Sequence, residues 1–152
     1  EINVLAHDPA GRAPKVPIEA GVVTPFEGQP QAVRAGDLLF LSGLLAIDDE
    51  GIVPAAETDP RQPHFADRAE AQADAILDAA AKLCAAAGTT LANVVRAQQF
   101  HTDLADFLAV YRAWQRQLPG QPIPFSAVEV PGPLAVPGCT VMLDLWVYAP
   151  QR

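Results

Sequence analysis

The chain has 152 residues, half of them hydrophobic and 18% charged, which is the composition of one globular domain with its own core. Ten basic against 18 acidic residues give a net charge of −8. Since phosphate contacts need a surplus of lysine and arginine, this balance argues against a nucleic-acid-binding protein. No apolar run approaches the roughly 20 residues of a membrane-spanning helix, so we expect no membrane association. The two cysteines suit reduced core thiols, which favours a cytoplasmic protein.

The N-terminal segment is rich in proline. Residues 1–30 contain five of the fifteen prolines and little periodicity, which predicts an extended arm with at most a short strand at 21–24. A single domain is expected to follow over residues 31–150. The chain begins at Glu1 rather than at methionine. Together with the arm, this favours a larger context, either a longer polypeptide or an associated partner.

The first half of the domain is predicted to contain a hairpin and a helix. Residues 31–34 and 37–47 read as strands joined at Gly36. The second strand is apolar on both faces, which predicts cover on both sides, and Gly43 within it predicts a bulge or a close backbone approach. Residues 48–63 read as a loop.

A helix is predicted over residues 66–87, because apolar residues recur there at spacings of three and four. Asp67 with Glu70 three residues later is typical of a capping box, and Gly88 marks the end of the helix. The predicted buried stripe consists of Ala69, Ala73, Ile76, Leu77, Ala80, Leu83, Cys84 and Ala87.

The second half adds three strands and a second helix. Strands are predicted at 93–101, 125–130 and 139–148, and a helix capped by Thr102 or Asp103 runs through Leu118. Its predicted apolar face consists of Leu104, Phe107, Leu108, Tyr111, Trp114 and Leu118. The order of elements predicts an α+β sandwich, with a mostly antiparallel sheet and two helices on one face.

The last strand alternates between two unlike faces. Cys139, Val141, Leu143, Leu145 and Val147 suit the helices, whereas Thr140, Met142, Asp144, Trp146 and Tyr148 form the other face. That second face is too apolar for open water, so it predicts a homo-oligomer whose sheets pack face to face. A monomer with a self-closed sheet is the alternative.

Asp144 is the strongest candidate for chemistry, because a carboxylate among apolar neighbours has a raised pKa and suits general acid–base catalysis. The alternative is an ion pair at an interface. Of Gln98 and Gln99, one must point inward and needs a partner, for which Asp144 and Ser42 are candidates.

Other polar residues favour structural roles. His101 precedes a helix cap and reads as a capping or surface residue, and Glu129 reads as structural. Cys139 lacks a visible activating histidine. His7 and His64 lie in predicted loops and indicate nothing definite.

Four stretches resemble the Rid superfamily, the reactive intermediate deaminases also called YjgF-like proteins. They are QAVRAGDLLFLSG at 31–43, AAAG at 85–88, NVVRAQQFHTDLADFLAVYRAW at 93–114 and FSAVEV at 125–130. The resemblance spans most of residues 31–148. It implies a chorismate-mutase-like subunit, a homotrimer whose sheets form a central barrel, and small-molecule ligands bound in clefts between subunits.

The resemblance also implies which residues would line that cleft. Deaminating members place an arginine where this chain has Phe125, and a glutamate on the last strand where, by register, it has Met142. A common cysteine becomes Ala127, an asparagine becomes Tyr111, and the serine is kept as Ser42. Without the guanidinium and the glutamate, the cleft is expected to be apolar and aromatic, and a 2-imino acid is disfavoured as substrate.

Two functions are consistent with these observations. The first is a Rid-like hydrolase or deaminase of a reactive imine, enamine or other small apolar compound, in which Asp144 handles protons without a metal or organic cofactor. The second is a non-catalytic trimeric module for ligand binding or assembly. RNA cleavage follows only from the family's endoribonuclease label and conflicts with the charge of −8.

Overall fold

A six-stranded sheet and two helices stacked on one of its faces make up the fold. The computed structural model describes residues 6–11, 13–58, 61 and 67–150. The first five residues of the predicted arm, His64 and the predicted first helical residue, Ala66, lie outside the described residues. The strands are β1 Lys15–Ile18, β2 Ala32–Ala35, β3 Leu38–Leu41, β4 Ile47–Asp48, β5 Gly51–Ile52, β6 Val94–His101, β7 Phe125–Glu129 and β8 Val141–Tyr148. The helices are α1 Arg68–Ala86 and α2 Phe107–Gln117.

The sheet has the order β1-β2-β3-β8-β6-β7. Every neighbouring pair is antiparallel except β6–β7, which is parallel because α2 carries the chain back between them. β4 and β5 form a separate two-stranded hairpin. The predicted α+β sandwich is therefore confirmed.

The first helix begins and ends where its capping residues predict. The Asp67 carboxylate accepts hydrogen bonds from the backbone N–H groups of Ala69 and Glu70 at 3.0 and 3.2 Å, and Gly88 follows the helix with φ of +71°. The predicted buried stripe lies in the core. The Glu70 carboxylate, expected to complete a capping box, is bound by Arg112 and Arg116 of α2.

The predicted buried face of α2 was wrong in part. Leu104, Leu108 and Tyr111 are 41%, 65% and 37% exposed. The buried residues of α2 are Ala109, Val110, Ala113 and Trp114. A 3₁₀ turn at Leu104–Asp106 precedes the helix, so Leu104 is not part of its register. Two of these buried residues, Ala109 and Ala113, are small, which favours a close approach of α2 to its neighbours.

Two predicted strands also differ from the structure. The strand of the N-terminal segment is β1, all four residues of which pair with β2. Residues 21–24, where a strand was predicted, are irregular. The predicted strand 37–47 ends at Leu41, and the chain rejoins the sheet at Leu44, which exchanges backbone hydrogen bonds with Leu143 at 2.8 and 3.0 Å. At Gly43, between them, a Cβ would lie 3.0 Å from Met142 Sδ, so the expected close approach is present. The predicted loop 48–63 was wrong in part, because it contains β5, which pairs with β4, and a 3₁₀ turn at Pro54–Ala56.

Candidate functional site

The sheet face away from the helices is organised by cross-strand register. Neighbouring strands pair Val33 with Phe40, Phe40 with Trp146, and Trp146 with Arg96. The four side chains therefore form one row across β2, β3, β8 and β6. Asp144 follows two residues from Trp146 on β8 and pairs with Gln98. We call this surface the open face.

A cavity of about 640 Å³ lies on the open face. Its apolar walls come mainly from Val33, Leu38, Phe40 and Trp146. Three charged groups, Lys15, Arg96 and Asp144, reach it from three different strands. Ala6, His7 and Ala35 complete the described lining. The cavity therefore combines apolar walls with two cationic side chains and one carboxylate.

Arg96 is held in place from three sides. Its Nη1 lies 3.5 Å from Asp144 Oδ2, its Nη2 donates to Gln98 Oε1, and its Cζ lies 4.8 Å from the centroid of the Trp146 ring. Trp146 in turn meets Phe40 edge to face, with 5.2 Å between ring centroids. The guanidinium is thus fixed before any ligand arrives, and only part of its donor capacity is used.

Asp144 is a half-buried carboxylate with an altered affinity for protons. Burial raises its pKa above the ordinary value of 3.8, and the charge and hydrogen bond of Arg96 oppose that increase. Its side chain remains about one-third exposed, so small molecules and water reach it. A carboxylate in this setting can accept a proton from bound water and return it to a leaving group.

Two other predicted site residues, Met142 and Ser42, are not among the residues that line this cavity. Met142 is two residues from Asp144 on the same face of β8, where its thioether packs against Gly43. The Ser42 hydroxyl donates a hydrogen bond to the carbonyl of Pro30, so in this chain it links the end of β3 to the segment before β2.

The remaining predicted residues, Tyr111, Phe125 and Ala127, belong to the opposite side of the sheet. Phe125 pairs with the buried Ala97 and Ala127 with the buried Gln99. The Phe125 ring lies 5.6 Å from that of Phe107 and 6.0 Å from that of Tyr111. Within one chain these residues are therefore separated from Asp144 by the sheet.

No arginine takes the position of Phe125 among the described residues. Arg34 donates to the carbonyl of Ala87 at the end of α1, and Arg96 lies on the open face. The guanidinium of Arg96 instead enters the cavity that contains Asp144, so this cavity is not purely apolar and aromatic.

Two polar residues of β6, His101 and the inward glutamine, Gln99, are buried between sheet and helices. His101 is fully buried rather than a surface or capping residue, and burial lowers its pKa from 6.5. Its Nε2 lies 3.2 Å from Gln99 Oε1, so the inward glutamine pairs with His101 and not with Asp144 or Ser42. Gln98, on the open face, accepts from Arg96.

The other candidates take structural positions. Burial raises the pKa of the Cys84 thiol to about 11 and also raises that of Cys139, which suits neither as a nucleophile. The Glu129 carboxylate accepts from the backbone N–H of Leu104 at 3.0 Å. Within the described ranges, no group of three or more His, Cys, Asp and Glu side chains is arranged to hold a metal ion.

Sequence reasoning missed Lys15, Phe40 and Arg96 as site residues. Each lies on a different strand from Asp144, and only the register of the sheet brings them together. The sequence shows that Arg96, Gln98 and Phe100 lie on one face of β6. It does not show that β6 pairs with β8, which carries Asp144.

Comparisons with known proteins agree with this fold. The model of the family described as endoribonuclease L-PSP matches residues 23–141. Protein mmf2, mitochondrial, of Schizosaccharomyces pombe is 27% identical over 132 residues, which are 86% of this chain and 94% of that protein. Among solved structures, PA3499 of Pseudomonas aeruginosa, a protein of unknown function, is 28% identical with a TM-score of 0.72, and the match covers 90% of this chain and 94% of that one. RidA of an Antarctic Psychrobacter is 26% identical with a TM-score of 0.68, covering 86% and 97%.

No helix in the described part of the chain is both long and apolar enough to cross a bilayer.

Proposed function

Because this chain belongs to the endoribonuclease L-PSP family, which includes the Rid proteins, we propose that it hydrolyses a small reactive imine or enamine at Asp144. The observation that carries the proposal is the half-buried Asp144 carboxylate, with its raised pKa, beside Arg96 in an open-face cavity of about 640 Å³. A cavity of this size suits a small organic molecule.

The reaction needs one group that moves protons. Asp144 accepts a proton from water while the water oxygen adds to the imine carbon and the electron pair of the C=N bond moves to nitrogen. The same carboxyl group returns that proton to the nitrogen of the tetrahedral intermediate. The hydroxyl proton then passes through Asp144 to the nitrogen as the C–N bond breaks, so that ammonia leaves and the carbonyl forms. Nothing is oxidised or reduced.

The charges of the cavity bear on the choice of substrate. Lys15 and Arg96 outnumber Asp144, so the cavity carries a positive excess in a protein whose net charge is −8. The unused donors of Arg96 suit a carboxylate, and the Phe40–Trp146 pair suits an apolar or aromatic side group. This arrangement supports an imino acid with an apolar side chain, although Phe125 alone argued against a carboxylate.

The proposal includes a homotrimer in the cytoplasm. Asp144 and Met142 lie on the open face, whereas Tyr111 and Phe125 lie beyond the sheet, so a single cleft containing all four requires two subunits. Such an assembly would also cover the apolar part of the open face. The buried, free thiols of Cys84 and Cys139 are compatible with a reducing compartment.

The test uses two imines that differ only in a carboxylate. An amino-acid oxidase acting on phenylalanine makes the imino acid, and an amine oxidase acting on phenethylamine makes the imine that lacks the carboxylate. We expect the protein to accelerate hydrolysis of the first more than that of the second, and Arg96→Gln with Lys15→Gln to remove the difference. Asp144→Asn should lower the catalysed rate of both by at least about 100-fold, which is the usual contribution of a general base.

The pH profile gives an independent measurement. The catalysed rate should fall as Asp144 becomes protonated, at a pH above 3.8 because burial raises its pKa. Arg96→Gln should shift this fall in rate to higher pH, since Arg96 lowers the pKa of Asp144. Glu129→Gln is the matched control and should leave rate and profile unchanged. Full activity in a folded Asp144→Asn variant, or no acceleration of any imine, would overturn the proposal.

The second candidate is a trimeric binding or assembly module without catalysis. It is supported by Phe125, whose ring packs on Phe107 and Tyr111 where deaminating relatives are expected to have an arginine. Absence of imine hydrolysis by a trimer that still binds small molecules would favour this candidate.

A further inference from the structure

The open-face cavity has a second polar end at β1, away from the carboxylate of Asp144. Lys15, the first residue of β1, lines the cavity at this end. Cross-strand pairing through β2 and β3 places Lys15 in register with Tyr148, four residues along β8 from Asp144. β1 and β8 are three strands apart in the sheet. From the spacing between strands and the rise per residue, the backbones of Lys15 and Asp144 are roughly 15–20 Å apart.

His7 is held at the same end by a turn of the N-terminal segment. The backbone N–H of Gly11 donates to the carbonyl of Asp8 at 3.0 Å, which reverses the direction of the chain. The turn brings His7 back to Ala13, whose carbonyl oxygen lies 2.5 Å from the ring Nε2. Ala13 is two residues before Lys15, and both His7 and Lys15 line the cavity. The imidazole and the ammonium group therefore share the β1 end of the cavity.

The contact with Ala13 fixes which nitrogen of His7 carries the proton. A carbonyl oxygen only accepts hydrogen bonds, so Nε2 is the donor and, in the neutral ring, Nδ1 is an acceptor. The ammonium group of Lys15 is a donor only. A hydroxyl group matches this pair, because it donates to Nδ1 and accepts from the ammonium group. A carboxylate or a methyl ether has no proton to donate to Nδ1.

The cavity wall between the two polar ends is aromatic. Phe40 and Trp146 pair across β3 and β8, in the row of residues between that of Lys15 and that of Asp144. Their rings meet edge to face, with 5.2 Å between centroids. Aromatic surfaces of this kind favour contact with another ring. A ligand that reaches both ends of the cavity is therefore elongated, with an aromatic middle and a polar group at each end.

We propose that the substrate is an imino acid whose aromatic side chain ends in a hydroxyl group, and that Lys15 and His7 bind this hydroxyl while the imine carbon lies at Asp144. The inference rests on the proposed hydrolysis for the reaction and adds the class of substrate. Arg96, whose guanidinium group lies 3.5 Å from Asp144, binds the carboxylate at the reacting end. Lys15 and His7 are then specificity-determining residues rather than catalytic ones.

Three unreactive acids test this binding separately from catalysis, because none of them contains a C=N bond. They are 3-(4-hydroxyphenyl)propionate, 3-(4-methoxyphenyl)propionate and 3-phenylpropionate, which share the carboxylate and the ring. In calorimetric titrations we expect the hydroxyl compound to bind about fivefold more tightly than the methoxy compound, which corresponds to the hydrogen bond to His7. The hydroxyl compound should exceed the unsubstituted compound by a larger factor, since the latter also lacks the acceptor for Lys15.

Three variants complete the experiment. His7→Phe keeps an aromatic ring and should make the affinities of the hydroxyl and methoxy compounds equal. Lys15→Met keeps an unbranched apolar side chain and should weaken both, while leaving 3-phenylpropionate unchanged. Lys82→Met, at an exposed lysine of α1, is the matched control and should change no affinity.

Equal affinity of the hydroxyl and methoxy compounds for the wild-type protein, or a preference that persists in His7→Phe, would overturn the inference. Both results leave the hydrolysis of phenylalanine imine to its own assay. Failure of that assay would in turn leave the hydroxyl preference in place, so the two proposals fail separately.

Discussion

His101 shows how the environment of a single side chain reverses an expectation. A histidine before a helix cap is usually exposed, but this one occupies an inward position on β6 and is fully buried. Its partner, Gln99, lies two residues earlier on the same face. A neutral ring suits this site, because the core penalises the charged form and thereby lowers the pKa of His101.

The stability of the fold should therefore decrease in mild acid. Unfolded His101 binds a proton near pH 6.5, whereas folded His101 binds it only at lower pH, so stability is lost as the pH falls from 6.5 through the folded pKa. Uptake of one such proton lowers the free energy of unfolding by at most about 1.4 kcal/mol per pH unit. Urea unfolding at pH 7.5 and 5.5 measures the loss.

His101→Gln is the informative variant, since it keeps a polar group beside Gln99 and removes the titration. Its stability should change less between the two pH values than that of the wild-type protein. An equal change in both proteins would assign the acid sensitivity to other groups.

At the scale of elements, the contact between the two helices combines small side chains with charged groups at its edge. Ala73 and Ala80 of α1 and Ala109 and Ala113 of α2 are buried, which favours a close approach of the two backbones. Along the solvent edge, the Glu70 carboxylate receives Arg112 Nε at 2.6 Å and is also bound by Arg116, which bridges to Asp74. These ion pairs link residues of different helices, some 40 positions apart in sequence. They therefore stabilise the docking of the two helices rather than the formation of either one.

Glu70→Gln should weaken that docking by about 1 kcal/mol at neutral pH, the upper range for partly exposed pairs. Burial alone would raise the pKa of Glu70, but the hydrogen bonds from Arg116 and Arg112 outweigh it and lower the pKa below 4.5. The stabilisation is therefore present above pH 4.5 and is lost as the pH falls through the folded pKa. Chemical unfolding at pH 7 and at pH 3.5 tests both statements.

The exposed Glu27, in the loop before β2, provides the control for this substitution. Glu27→Gln should leave stability within about 0.5 kcal/mol of wild type, as surface changes usually do. If Glu70→Gln behaved in the same way, the network would contribute nothing measurable to docking.

At the scale of the whole molecule, one sheet separates two different environments. The helix side forms the core, and the open face carries Phe40, Phe100, Met142 and Trp146 beside the charged groups of its cavity. Each of these apolar residues is only partly buried in the single chain. Large apolar areas of this kind usually belong to interfaces, which is why the proposed trimer places the part of the open face that lies outside the cavity against a neighbouring subunit.

Phe100→Lys should disrupt such an assembly, because it places a charge in the proposed interface outside the cavity of Asp144. Light scattering after size exclusion should give the mass of three 16.1 kDa chains for the wild-type protein and a smaller mass for the variant. Leu108→Lys, at a residue that is 65% exposed on α2, should remain trimeric. A monomeric wild-type protein would contradict the assembly.

Most elements were predictable from local patterns, whereas the candidate site was predictable only at Asp144. Asp67 and Gly88 mark α1, and the alternation over 141–148 marks β8, since capping and alternation depend on neighbours in sequence. The errors have other causes. The interruption of the predicted strand 37–47 after Leu41 accompanies the pairing of Leu44 with Leu143, and the exposure of Leu108 depends on how α2 docks, so both involve distant parts of the chain.

The sequence by itself determined the type and order of the main elements, the apolar character of both sheet faces and the presence of one carboxylate on the open one. Only the tertiary structure decided which groups meet that carboxylate. Arg96 reaches Asp144 across 48 positions because β6 pairs with β8, and Lys15 joins them through β1. Cross-strand register is a property of the assembled sheet, and no local pattern encodes it alone.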